Sequence, residues 1–216
     1  MLLLLRVLML SLLSGGSVKV VQNFESGCGQ LFANGKSPTR FPGPQYRQIC
    51  QTLNNDVYYA TFYDTDNKIP VYSAYKFEGL KDCTRLDKWY IEPQVSQWRV
   101  LEKKIAEELS DQCLPKKYSV YIVTGVVPGT GNINNRVKVP SHFWTVYCCL
   151  DNNNRCQISS GFIGENKKDT PKNKTVKDLE TDLATLYNVD SFELFDNSTK
   201  LPPKKQKFFK FLDVRL

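Results

Sequence analysis

Apolar and polar residues alternate along much of the chain, a pattern that predicts β-strands joined by polar turns. The turn at residues 64–67, Asp-Thr-Asp-Asn, is expected to join two strands into a hairpin. A later strand is expected to end at Pro128 and Gly129, and a run of Asp and Asn at residues 151–154 separates the final pair. The expected strands cover residues 57–63, 69–77, 89–91, 118–127, 136–150 and 157–163.

Two segments have a helical period instead. The first covers residues 95–109, and the second begins at Thr175, where Asp178 three positions later forms a variant of the capping box. In both segments apolar residues recur every three or four positions, which predicts one buried face. These residues are Trp98, Leu101, Ile105 and Leu109 in the first segment, and Val176, Leu179, Leu183 and Leu186 in the second. Strands and helices do not alternate as βαβ units, so the expected fold class is α+β.

The N-terminus has the pattern of a secretory signal peptide, an apolar run followed by small residues. The run is shorter than the ~20 residues that a membrane-spanning helix needs, although an uncleaved signal anchor is an alternative. We expect a signal peptide at residues 1–17, one secreted, extracellular domain at residues 18–197, and a basic tail at residues 198–216. No later segment is apolar enough to span a membrane.

Seven cysteines and two glycosylation sequons are typical of a chain that folds in an oxidising compartment. The cysteines are expected to form mainly disulfides, since the chain has one histidine and no Cys-x-x-Cys pair for a zinc site. Because their number is odd, one thiol must stay free, pair with another chain, or lack a partner that related chains keep. The sequons begin at Asn173 and Asn197.

Positive charge is concentrated at the C-terminus. The chain has a formal net charge of +7, and its last residues combine lysines with three phenylalanines. A basic stretch with aromatic rings can hold phosphates and stack on bases, or lie on an anionic membrane, whereas a solvated tail is the alternative. The candidate nucleic-acid-binding residues are Lys204, Lys205, Lys207 and Lys210.

The chain contains one histidine, His142, in an expected apolar strand rather than a polar loop. Most general-base, triad and zinc-hydrolase mechanisms use histidine, because its unperturbed pKa lies near neutral pH. A position between Pro140 and Trp144 favours a hydrogen-bonded core histidine over a catalytic one. Those mechanisms then lose their usual base.

Several short segments form a set of motifs. They read Phe-Pro-Gly-Pro-Gln-Tyr at residues 41–46, Tyr-Ala-Thr-Phe-Tyr-Asp at 59–64, Ile-Pro-Val-Tyr-Ser-Ala-Tyr at 69–75, Trp-Tyr-Ile-Glu-Pro-Gln at 89–94, Val-Thr-Gly-Val-Val-Pro-Gly at 123–129, Val-Pro-Ser-His-Phe-Trp at 139–144 and Gly-Phe-Ile-Gly-Glu-Asn at 161–166. On these motifs the chain resembles the DNA/RNA non-specific endonuclease family over most of its length. The resemblance implies a ββα-metal nuclease-like domain, with an antiparallel sheet, packed helices and nucleic acid as the partner.

The resemblance also implies a particular catalytic centre. The family hallmark is an Asp-Arg-Gly-His tetrapeptide, whose histidine deprotonates the attacking water, followed by a helix asparagine that ligates one Mg²⁺. The histidine generates the nucleophile, while the cation and an arginine stabilise charge on the transition state and the leaving oxygen.

This sequence departs from the family at that centre. Only three residues separate Gln94 from Trp98, where the family has a much longer insert, and no Asp-Arg-Gly-His occurs in the chain. A central segment is therefore missing, and Gln94 stands about where the metal asparagine would fall. Glu102 matches the family carboxylate that helps to hold metal-bound water, although a solvent-facing glutamate is an equal alternative. We expect no catalytic residue and no bound Mg²⁺ in this chain.

Loss of a central segment should also affect the fold. Its neighbours in the sheet should expose apolar surface or an unpaired strand edge, and a cysteine could have been lost with it. A mispredicted or exon-skipped product is one interpretation. Three functions stay open: an active secreted nuclease, a non-catalytic protein that binds nucleic acid or another polyanion, and a truncated isoform without an independent role.

Overall fold

The computed structural model describes residues 17–53, 56–80, 93–167 and 170–196. Within these ranges eight antiparallel strands form one sheet, and each strand lies beside its neighbours in sequence. The strands are β1 Ser17–Val21, β2 Tyr46–Leu53, β3 Asp56–Asp64, β4 Ile69–Phe77, β5 Ser119–Ile133, β6 Val137–Leu150, β7 Cys156–Glu165 and β8 Lys172–Lys174. The α-helices are α1 Phe24–Cys28, α2 Pro93–Gln112 and α3 Val176–Tyr187, and short 3₁₀ turns cover Gly29–Leu31, Ala33–Gly35 and Leu114–Lys116. The α+β class, with an antiparallel sheet and packed helices, is confirmed.

Helix α2 covers one face of the sheet, which we call the α2 face. Its buried residues are the stripe predicted from the sequence, from Trp98 to Leu109, and they pack on Ile122, Tyr147 and Phe162. Burying an aliphatic or aromatic side chain contributes about 1.5–3 kcal/mol. The helical period therefore fixed both the existence of this helix and the side that it buries.

The opposite side, which we call the α3 face, carries helices α1 and α3. Leu179 and Leu183 of α3 pack there with Trp144 and with Phe24 of α1, and each of these side chains is almost completely buried. Thr175 caps α3, because its side chain accepts a hydrogen bond from the backbone N–H of Asp178 at 3.0 Å. Since both faces are covered, the central strands are apolar on both sides.

Most expected elements are confirmed, with one correction. The hairpin of β3 and β4, strands β6 and β7, and both helices lie where the sequence predicts them. Strand β5, however, does not end at Pro128 and Gly129 but continues to Ile133, since shifts of register on either side of Pro128 accommodate a residue without an N–H. The expected strand at residues 89–91, the signal peptide and the basic tail lie outside the described residues.

Six of the seven cysteines form three disulfides. The pairs are Cys28 with Cys50, Cys113 with Cys149, and Cys148 with Cys156. The second pair joins the residue after α2 to β6, and so holds the helix on the α2 face. Cys83, outside the described residues, is the cysteine left over from the odd count.

Candidate functional site

The sheet opens between the start of β3 and the end of β4. Ala60 pairs with Ala74, but within the described ranges the residues before Ala60 pair with β2 alone and those after Ala74 with β5 alone. A cleft of about 1000 Å³ occupies this gap, and Tyr59 and Tyr75 lie on its walls. Tyr59 is 43% exposed. An exposed aromatic surface and separated strand edges are what the loss of a neighbouring segment should leave.

Glu102 is exposed on α2 and lies near Tyr75, a wall residue of this cleft. It is close enough to Tyr75 to influence ionisation there: burial first, and the negative charge of Glu102 second, raise the pKa of Tyr75 to about 12. The phenol is therefore protonated and neutral at physiological pH. The surviving family position and the opened part of the sheet thus lie together, while the role of Glu102 in holding metal-bound water stays a prediction.

The side chains at the cleft do not form a set of metal donors. Within the described parts of the chain, no group of three or more His, Cys, Asp or Glu side chains converges. The hydroxyls of Thr61 and Ser73 bond to each other at 2.8 Å, and Thr124 donates to the carbonyl oxygen of Trp144 at 3.1 Å. Mg²⁺ requires several oxygen ligands in near-octahedral geometry. Asp56 and Glu78 also line the cleft, but among the described residues they do not converge with a third donor, so this arrangement does not fit the cation that the family implies.

His142 lies in strand β6, as expected, but the expectation of a core histidine is wrong. Its side chain is only half-buried and lines a cavity of about 350 Å³ together with Glu165, Lys172 and Asp182. It shares the α3 face with Trp144, two residues further along the strand. The reason for the exposure is its position near the end of the β6–β7 ladder, where His142 is paired with Glu165. Glu102 belongs to the opposite face.

The ring of His142 is held by its neighbour in sequence. Its Nδ1 lies 3.0 Å from the hydroxyl oxygen of Ser141, which itself lies 3.3 Å from the carbonyl oxygen of Val127 and 3.2 Å from that of Pro128. Because the hydroxyl donates to one of these carbonyls, the network assigns Ser141 as the acceptor of an Nδ1–H bond. His142 is therefore a positioned histidine on the α3 face, with no route to a water molecule beside Glu102.

Buried tyrosines should make the stability of the domain fall at alkaline pH. Burial raises the pKa of Tyr72, Tyr147 and Tyr187 above the ordinary tyrosine range, and it raises that of Tyr75 to about 12. Each protonated phenol contributes fully to the free energy of unfolding below pH ~10, the pKa of tyrosine in the unfolded chain. This contribution is lost as the pH rises toward the pKa in the folded chain, by up to about 1.4 kcal/mol per pH unit.

We therefore expect cooperative unfolding above pH ~10, at which buried tyrosinates appear only as the fold is lost. Tyrosinate absorbance and far-ultraviolet circular dichroism, followed together along a pH titration, measure this. Replacing the exposed Tyr58 with Phe serves as the control and should leave the transition unmoved. Ionisation of all tyrosines with an unchanged dichroism spectrum contradicts the prediction.

The sequence did not single out the residues of the cleft. Tyr59 and Tyr75 belong to quoted motifs, so the resemblance marked their strands without assigning them a role. Their meeting depends on how far β3 and β4 separate, which local patterns do not encode. The candidate lysines Lys204, Lys205, Lys207 and Lys210 lie outside the described residues.

The chain is a disulfide-linked antiparallel α+β domain in which Glu102 lies near the opened part of the sheet. The family model for DNA/RNA non-specific endonucleases matches residues 89–201, which is more than half of the chain. The chain belongs to that family. The resemblance inferred from the motifs is therefore confirmed.

Two individual proteins are similar to the chain. The human Endonuclease domain-containing 1 protein is 31% identical over 68 residues, which cover 32% of this chain and 14% of the human protein. The chain thus spans only a small part of that relative. A solved structure of the EndoG/EndoGI complex, described as showing the mechanism of EndoG inhibition, aligns with a TM-score of 0.48 and 15% identity over 86% of this chain and 96% of that one.

Proposed function

We propose that this chain is a nucleic-acid-binding member of its family whose hydrolytic activity is lost or strongly impaired. One observation carries the proposal: only three residues separate Gln94 from Trp98, where the family has a much longer insert, so the family base and metal ligand have no counterparts. Glu102 remains, but His142 lies on the opposite face of the sheet. A carboxylate that accepts hydrogen bonds cannot by itself generate hydroxide from water near neutral pH.

The charge of the chain supports the binding part of the proposal. Residues 198–216 contain six basic residues and one acidic residue, and so contribute five of the seven net positive charges. Binding to a polyanion releases condensed counterions, and this release favours association with either DNA or RNA without sequence preference. The basic tail is the proposed main contact, with Lys204, Lys205, Lys207 and Lys210 facing phosphates.

Secretion is part of the same proposal. Six cysteines paired within one domain are typical of an oxidising compartment, and they support the signal peptide expected at residues 1–17. Asn173, the first residue of one sequon, is exposed on the edge strand β8, where a glycan can be carried without disturbing the core. Among the described residues, no helix is both long and apolar enough to cross a membrane.

Binding should be tested with a fluorescently labelled DNA duplex and fluorescence anisotropy across a range of salt concentrations. We expect the logarithm of the association constant to fall linearly with the logarithm of salt. A chain ending at Asn197 should lose about 4.5 units of that slope, given its five fewer net charges and about 0.9 per neutralised phosphate.

The matched control keeps the full length and replaces Lys204, Lys205, Lys207 and Lys210 with glutamine. It should behave like the shortened chain, because charge rather than length is removed. If both variants bind as tightly as the natural chain at every salt concentration, the tail does not carry binding. If the natural chain itself shows no salt-dependent binding, the proposed function is wrong.

A further inference from the structure

Strands β5 and β6 extend beyond their ladders with the neighbouring strands β4 and β7. Strand β5 pairs with β4 only as far as Gly125, and β6 pairs with β7 only from His142 onward. Past these points the two strands pair with each other, up to Ile133 opposite Val137. We call residues 128–140 the β5–β6 arm. At about 3.3 Å per residue the arm reaches roughly 15 Å beyond its root.

The tip of the arm is a tight and defined turn. Asn134 and Asn135 both have left-handed backbone conformations, with φ values of 50° and 51°, and the N–H of Arg136 donates to the carbonyl oxygen of Ile133 at 3.0 Å. Two successive left-handed residues are the geometry of a type I′ turn, which matches the twist of a two-stranded ribbon. Asparagine tolerates this conformation better than other side chains except glycine. The tip is therefore narrow and ordered before any ligand arrives.

The arm carries polar and basic side chains around one exposed apolar residue. Every residue from 130 to 136 is exposed, and Ile133 is 56% exposed at the tip. Asn132, Asn134 and Asn135 surround it with amide groups, and Arg136 follows the turn.

Strands β5 and β6 themselves carry charge of one sign only. The sequence contains no Asp or Glu from residue 112 to residue 150, whereas Arg136 and Lys138 lie in the arm. The N–H of Lys138 donates to the carbonyl oxygen of Asn67 at 3.0 Å, so the turn with the exposed Lys68 lies beside the arm. Two exposed carboxylates lie nearby, Asp66 in that turn and Glu165 opposite His142 at the root of the arm. The arm thus complements a polyanion.

We infer that the β5–β6 arm inserts its tip into the minor groove of duplex DNA. Proteins that enter this groove read it with Arg, Lys and Asn side chains, and place an apolar wedge between base steps. The arm offers each of these parts: Arg136 and Lys138 for the phosphates and the groove floor, the asparagines for base acceptors, and Ile133 as the wedge. A ribbon two strands wide with a tight turn presents its end rather than its broad side to the groove.

This inference rests on the proposed nucleic-acid binding and adds a specific surface to it. A basic tail recognises phosphate charge alone. Its affinity for single strands, DNA duplexes and RNA duplexes therefore differs only with their charge density. The arm requires a B-form minor groove, because A-form RNA has a wide and shallow one. The arm should therefore give the chain a preference for duplex DNA that the tail cannot give.

The test measures the binding of single-substitution variants of the full chain by fluorescence anisotropy. The ligands are a DNA duplex of about 20 base pairs, or about two helical turns, an RNA duplex of the same sequence, and a single strand. Ile133→Ala should weaken binding to duplex DNA about five- to tenfold with an unchanged salt slope, since it removes an apolar contact. Arg136→Ala should weaken it similarly and lower the slope by about one. Binding to RNA and single strands should change less than twofold.

Two substitutions on α2 serve as matched controls. Val100 is 54% exposed, similar to Ile133, and Lys104 is an exposed basic residue. Val100→Ala and Lys104→Ala should bind duplex DNA as the natural chain does. In addition, netropsin, which occupies the minor groove of A·T-rich DNA, should displace the natural chain but should have little effect on Ile133→Ala.

The outcomes separate the two proposals. Absence of nucleic-acid binding by the natural chain overturns the proposed function, and with it the arm. Salt-dependent binding that both arm substitutions leave unchanged overturns the arm alone. Equal losses on DNA, RNA and single strands show a charge contact without groove recognition, and this also overturns the inference. Circular dichroism of each variant confirms that the exposed substitutions leave the fold intact.

Discussion

Plasmid DNA incubated with the purified chain and Mg²⁺ should stay uncut, at a rate no higher than in EDTA. A positioned general base contributes about 10²–10⁴-fold to such a reaction, and a bound cation contributes several kcal/mol more. Here Glu102 stands next to a neutral Tyr75, and His142 lies on the far side of the sheet. We therefore expect a loss of at least about 10⁴-fold relative to a complete member of the family.

The assay should follow conversion of supercoiled plasmid to nicked and linear forms, with a commercial metal-dependent nuclease as the positive control in the same buffer. Glu102→Gln and His142→Ala are the informative variants, because they should change nothing if neither residue takes part in chemistry. Metal-dependent cleavage that co-purifies with the chain and disappears in Glu102→Gln contradicts the proposal. Disappearance in His142→Ala instead would place a catalytic base on the α3 face.

Gly125→Ala should strongly destabilise the core of the domain. A Cβ at Gly125 would meet the carbonyl oxygen of Val71 and the indole ring of Trp144, with Cε2 of that ring only 2.6 Å away. The indole cannot move freely, because its Nε1–H donates to the hydroxyl of Tyr187 at 3.1 Å. That hydroxyl in turn lies 2.9 Å from the carbonyl oxygen of Val126.

Relieving the overlap therefore requires a shift of backbone or the loss of a buried hydrogen bond. We expect the free energy of unfolding to fall by about 3 kcal/mol or more, measured by urea denaturation. Gly131→Ala, on the same strand, is the matched control: its nearest neighbour is Val139 at 3.7 Å, so the change should stay within about 0.5 kcal/mol. Equal unfolding midpoints for the two variants would show that the packing around Gly125 yields easily.

Local patterns were sufficient for the elements with strong periodicity. The stripe from Trp98 to Leu109 and the cap at Thr175 predicted α2 and α3, and the polar turn after Asp64 predicted the hairpin. These features depend on residues three or four apart, or on one tight turn. The chain therefore shows them without any long-range contact.

The elements that escaped prediction depend on neighbours distant in sequence. Strand β2, Tyr-Arg-Gln-Ile-Cys-Gln-Thr-Leu, mixes polar and apolar residues on both sides and becomes a strand because β1 and β3 flank it. Strand β1 begins at the last residue of the expected signal peptide, and no strand was predicted at residues 18–21. Pro128 and Gly129 suggested a strand end, but the arm continues past them through a shifted register.

The sequence predicted which catalytic residues the candidate site lacks, but not how the remaining residues are arranged. The sequence showed the missing tetrapeptide and the surviving Glu102 directly. It could not show that β3 and β4 separate, that Tyr75 lies near Glu102, or that His142 is half-exposed in a cavity with Glu165. Each of these depends on the register and the ends of ladders, which whole-sheet packing decides.

The disulfides fall into two groups that never cross residues 81–92. Cys28 and Cys50 lock the region before this stretch, while the other two pairs lock the region after it. One peptide-bond cut between Leu80 and Pro93 would thus yield two fragments that denaturant alone separates, without a reductant. For the same reason, sequence can be gained or lost at this junction while each half keeps its own covalent cross-links.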